Sequence, residues 1–167
     1  MSGDIGQAYL AEALRVFRQY KELGEKAMAQ LDPAGVYQTL DDESNSVAVI
    51  VKHLAGNMRS RWTDFLTTDG EKPDRNRDGE FELTASTTPA DVRRWWDEGW
   101  RSVFAAVEPL QPEDLLRTVT IRGEPHSVLQ AIDRQIAHYA YHVGQIVQLA
   151  RHLAGERWTT LSIPKRR

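Results

Sequence analysis

The chain contains no cysteine. That absence removes disulfides, thiolate nucleophiles, iron–sulfur clusters and cysteine-type zinc sites at once, leaving histidine and carboxylates as the strong metal ligands. Long apolar runs are missing too: none exceeds the five residues of Val47 to Val51, whereas a membrane span needs about 20. The first residues carry Asp4 and no basic stretch followed by an apolar one, so no secretory signal is expected and the expected compartment is the cytoplasm. An excess of positive charge is also lacking. With 21 basic against 24 acidic residues the net charge is −3, which builds no broad positive field for nucleic acid. The basic stretch Lys165, Arg166, Arg167 reads as a short solvated tail.

What is present is ordinary globular material. The 167 residues, 41% hydrophobic and 27% charged, suit one self-sufficient core and are too balanced for disorder, so a single domain over 1–167 is expected. Leu10, Leu14, Phe17, Leu23 and Leu31 recur mostly at helical spacing between Ala8 and Leu31, with a stop at Asp32-Pro33. Ser44-Asn45-Ser46 offers capping oxygens ahead of Val47, Ile50, Leu54, Met58, Trp62 and Phe65, a second helix expected to end near Thr67. Thr68 to Thr87 holds Asp69-Gly70, Pro73, Asp78-Gly79 and many charges without periodicity and reads as one long crossover loop; loops of that length are uncommon unless they serve a purpose.

Thr88-Pro89-Ala90-Asp91 sets a cap, a proline at the first helical position and an acid in the first turn of a third helix running to Glu108-Pro109. Val119 to Ile121 with Arg122-Gly123 suggests a turn or small hairpin. Ser127 to Gln130 has the form of a capping box, opening a fourth helix that closes at Gly155. Four amphipathic helices bury their apolar arcs most simply against one another, so the expected fold is all-α, a four-helix bundle with a long crossover between helices two and three.

His138 and His142 lie about 6 Å apart along their helix and about 40° apart around it, a spacing at which two imidazoles can share one ion. They border the apolar arc, and so does His53 in helix two, with Asn57 about 40° from it on the wheel. Spacing alone leaves two readings open: metal ligands, or ordinary histidines hydrogen-bonded beside a core. Arg134, Gln135 and Gln145 flank the same sector, with the solvated reading favoured for each. No Asp or Glu stands one turn from any of the three histidines on the same face, and Asp64 is about 16 Å along the axis from His53. Trp95, Trp96 and Trp100 read first as core packing or a dimer contact, second as walls of an apolar pocket. His126, ahead of the helix-four cap, and His152, on the outer side, are not favoured as ligands.

The segments Ser44 to Met58 and His138-Tyr-Ala-Tyr-His142-Val-Gly-Gln145-Ile146 resemble the DinB-like superfamily of bacterial four-helix-bundle metalloproteins, which includes YfiT-type and thiol-dependent transferase proteins. The likeness covers nearly the whole chain and is to a functionally uncharacterised branch, to which the Thr68 to Thr87 loop is specific, so that loop is not expected to inform the chemistry. It implies a divalent ion, nickel or zinc, on His53, His138 and His142. It also implies a homodimer, and chemistry on a small-molecule substrate with a low-molecular-weight thiol. Asn57 is a candidate to hydrogen-bond a ligand of that ion, and no residue is assigned a catalytic role. The expected function is a metal-dependent enzyme of thiol-dependent transferase or hydrolase type. The alternative is a non-catalytic, metal-binding, dimeric stress-response protein. Neither nucleic acid nor membrane is an expected partner.

Overall fold

Each helix begins where a side chain satisfies its free amides. In the computed structural model, which describes residues 5–163, Ser46 accepts from the Val49 amide to open α2 (Val47–Trp62), and a Thr88/Asp91 capping box with Pro89 opens α3 (Pro89–Val107). A Ser127/Gln130 box opens α4 (Val128–Ala154), which stops at Gly155 with φ 56°. The first helix, α1, spans Ile5–Met28. Expectations about Asp4 and the Lys165 to Arg167 tail fall outside the described residues.

α1 begins at Ile5, ahead of the expected Ala8, and two helix ends differ. α1 stops three residues before Leu31, in a tightened turn where the Gln30 and Leu31 amides reach back only to Ala27 and Met28. α2 ends at Trp62 rather than near Thr67. Thr63 turns extended and its hydroxyl donates to the Arg59 carbonyl, while Asp64 adopts φ 48° and its carbonyl receives the Thr67 and Thr68 amides. Phe65 still packs on Trp62, ring centroids 5.1 Å apart.

The chain is predominantly helical. Among the described residues the β structure is one antiparallel hairpin, β1 (Thr118–Ile121) with β2 (Glu124–Ser127), Ile121 facing Glu124. Arg122 and Gly123 make its two-residue turn at φ 54° and 77°, the positive values such a turn requires. α2 packs mainly on α3, and α1 on α4, with α2 also against α4. Every helix sends an aromatic ring to the centre: Phe17 meets Trp62, Trp100 and Tyr139 with centroids 5.8–6.2 Å apart. The Trp62 indole N–H donates to Tyr139 Oη at 2.9 Å, tying α2 to α4, and Tyr9 donates to Asp133 at 2.6 Å, tying α1 to α4. No helix among the described residues is long and apolar enough to cross a membrane.

Trp96 and Trp100 are core residues, 2% and 0% exposed, so neither can form a dimer contact or line a pocket at the histidines. Trp95 is half-buried beneath the Lys52 ammonium, 5.6 Å from its ring.

Candidate metal centre

The α2–α4 contact brings His53 to the His138/His142 pair. One ring nitrogen from each lies within 4.8 Å of those of the other two. The ring centroids are 5.6 Å (His53–His138), 5.0 Å (His53–His142) and 4.7 Å (His138–His142) apart. His53 is buried and the α4 pair half-buried. Neither His126, whose Nδ1 lies 3.0 Å from the Glu124 carbonyl, nor the exposed His152 belongs to this group.

What surrounds each imidazole fixes which nitrogen is free. His53 Nδ1 lies 2.9 Å from Glu80 Oε2, so it donates its proton to that carboxylate and leaves Nε2 as a lone pair. His142 Nδ1 donates to Gln145 Oε1 at 2.8 Å, and its Nε2 is buried without a partner. His138 Nδ1 is likewise buried and unpartnered. Burial, with the neighbouring histidines adding to it, pushes His138 down to about 3. Burial also lowers His142, to about 4, against an opposing hydrogen bond from Gln145. Both therefore stay neutral at pH 7, the form that binds a metal.

Glu80 comes from the crossover, on a short 3₁₀ turn (Asp78–Phe81). The crossover thus contributes directly to the site, and it supplies the carboxylate that α2 and α4 lack. Gly56, one turn along α2 from His53, leaves the space in which Glu80 sits. Arg75 clamps the carboxylate from the other side, Nε to Oε1 at 2.8 Å and Nη2 to Oε2 at 2.9 Å. Burial raises the Glu80 pKa, but Arg75 and His53 outweigh it and hold the group below the usual carboxylate range. Lys52 pins the same turn by donating to the carbonyls of Gly79 (2.8 Å) and Glu82 (2.6 Å). Phe81 stacks on the His53 ring at 4.8 Å.

The remaining sequence candidates divide. Asn57 is buried beside the trio, its Oδ1 accepting from Tyr139 Oη at 3.4 Å. Gln145 orients His142 rather than being merely solvated, and Gln135 is 2% exposed with Oε1 unpartnered. Asp64 sits past the end of α2, exposed and away from the site. Sequence reasoning missed Glu80, Arg75 and Arg61. Of these, Arg61 carried a signal: it lies eight residues after His53, on the same side of a helix whose other residues on that arc are buried.

Three imidazoles with their lone pairs unengaged and outer nitrogens oriented by a carboxylate and an amide form a donor set suited to a divalent ion. The profile of the family described as Protein of unknown function (DUF1572) matches residues 4–167. No curated protein matches the chain significantly.

Proposed function

The chain belongs to the DUF1572 family, and on that premise we propose that it is a divalent-metal protein, one domain over 1–167, built as a four-helix bundle of the DinB-like type. Its ligands are His53, His138 and His142, its ion nickel or zinc, and its activity that of a thiol-dependent transferase or hydrolase in the cytoplasm. The observation that carries this reading is the convergence of three neutral imidazoles from two helices within 4.8 Å.

A bound ion of this kind supplies Lewis acidity, lowering the pKa of a water or a low-molecular-weight thiol beside it. The protein's own contribution is orientation. Glu80 and Gln145 fix the His53 and His142 tautomers, and Arg75 holds Glu80 ionised. Asn57, held by Tyr139, presents its amide to the same recess and suits a substrate or water. Protein purified without an affinity tag or chelator is expected to hold close to one nickel or zinc per chain, lost in His142→Ala. Metal content unchanged by that substitution overturns the assignment.

One observation favours the non-catalytic, dimeric stress-response alternative: both oxygens of Glu80 are engaged, so it is poorly placed to act as a base. Metal-dependent turnover in a panel of thiols and electrophiles separates the two readings. The homodimer is proposed on the DinB-like resemblance alone.

A further inference from the structure

Beside the trio, between α2, α4, the crossover and the hairpin, lies a recess of about 360 Å³ in which His53 and His138 form part of the wall. The same wall holds five arginines, Arg61, Arg75, Arg77, Arg122 and Arg134, and no carboxylate. In a chain of net charge −3 this is a local concentration of positive charge that the overall composition conceals.

Four of the five lie within ion-pair distance of a carboxylate, Arg61 only at its limit. Arg75 is held by Glu80 and, through Nη1, by Glu71 at 3.1 Å. Arg122 reaches Glu71 at 3.3 Å, and Arg77 faces Asp78 at 3.8 Å on the surface. Arg134 makes no ion pair or side-chain hydrogen bond among the described residues and stands exposed at the mouth. Arg61 is the unusual one. It is 4% exposed, its Nε and Nη1 have no hydrogen-bond partner among the described residues, and its nearest carboxylate, Glu71, is 3.9 Å from Nη2.

A buried guanidinium with unused donors is costly, and it is retained where something with matching acceptors completes it. Guanidinium donors in a fixed fork match a carboxylate or a phosphate, which accept two parallel hydrogen bonds. Burial lowers the Arg61 pKa, with Tyr139 and Glu71 opposing, and its charge is felt at His138, so the group lies electrically close to the trio. The basic groups line a concavity of small-molecule size rather than an extended face, which suits a metabolite and not a polymer.

We propose that this recess binds an oxyanion, the carboxylate or phosphate of a small-molecule substrate, through Arg61 assisted by Arg134 at the mouth. Only one part rests on the metal-site reading, namely that the trio lies at the substrate's reacting end. Anion binding itself needs only the arginines, so the test uses metal-free protein and a readout other than activity.

Inorganic phosphate and succinate are titrated separately into chelator-treated protein by calorimetry, with sodium chloride at matched ionic strength as the control. Saturable binding of either oxyanion, weakened at least threefold in Arg134→Ala and at least tenfold in Arg61→Gln, is expected. The tighter of the two probes assigns the group as phosphate or carboxylate. Arg134 is exposed, so its variant keeps the test decisive if Arg61→Gln misfolds. Binding no different from chloride, or unchanged either in Arg134→Ala or in a folded Arg61→Gln, overturns the proposal. Metal content is measured on the same preparations before chelation. Oxyanion binding in a protein that retains no metal leaves this proposal standing and removes the metal reading, whereas metal retention without oxyanion binding does the reverse.

Discussion

Gly56→Ala separates the contribution of the crossover from that of the helices. A Cβ at position 56 falls inside 3 Å of the Oε1, Cδ and Cγ atoms of Glu80, closer than real Cβ contacts come, so the carboxylate must shift and its geometry at His53 and Arg75 is disturbed. Two effects then oppose each other. Alanine in a helix interior gains about 1 kcal/mol over glycine. Against that stand the charge-assisted hydrogen bonds from His53 and Arg75 to Glu80, worth about 1.5–3 kcal/mol each. The loss exceeds the gain, so the metal-free variant is expected to be less stable than wild type. Losing the partner that orients a ligating histidine typically weakens metal affinity about 10–100-fold, or about 1.4–2.7 kcal/mol. Competition against a chromogenic chelator measures it across wild type, Gly56→Ala, Glu80→Ala and the double variant. With Glu80 already truncated, the added methyl has space. Gly56→Ala should then cost no further affinity and should recover about 1 kcal/mol of helix stability. Equal loss in both backgrounds, or wild-type affinity in Gly56→Ala, would refute a crossover that orients His53.

The site and its floor yield two further expectations. In metal-free protein His138 and His142 titrate near 3 and 4, against about 6.5 in the unfolded chain, so the unfolded state takes up protons first as pH falls. Their contribution to stability is fully present above pH 6.5 and declines below it. Urea midpoints between pH 6.5 and 5 should therefore fall more steeply in wild type than in His138→Gln/His142→Gln, and equal slopes contradict this. Tyr139→Phe strands the buried Trp62 indole N–H and should cost about 1–3 kcal/mol in urea denaturation while leaving metal stoichiometry unchanged. A loss of metal together with stability would point to Tyr139 as part of the site.

The helices and the His138/His142 pair were legible because both are local in sequence. Thr88-Pro89 with Asp91 and Ser127 with Gln130 announce their helix starts within four residues, and the His138/His142 spacing needs only the helical period. His53 could be assigned to the same centre only through the family likeness, since nothing periodic relates α2 to α4. Glu80 was illegible for a different reason. It acts 27 residues from His53, out of a segment without periodicity, and its burial depends on Arg75, Gly56 and Lys52 together. The length of the crossover was the one available clue. The tryptophans were legible in part: core packing stood first among their readings, beside a dimer contact, and Trp96 and Trp100 share one face of α3 and that face is the core.

The order of these parts along the chain bears on biosynthesis. His53 and Glu80 emerge from the ribosome well before α4, and the other two imidazoles arrive only when residue 142 has been made. Between residues 53 and 125 the nascent polypeptide holds a single imidazole. Coordination by all three imidazoles is thus possible only once the last long helix has docked, when geometry and metal availability together would select the cation.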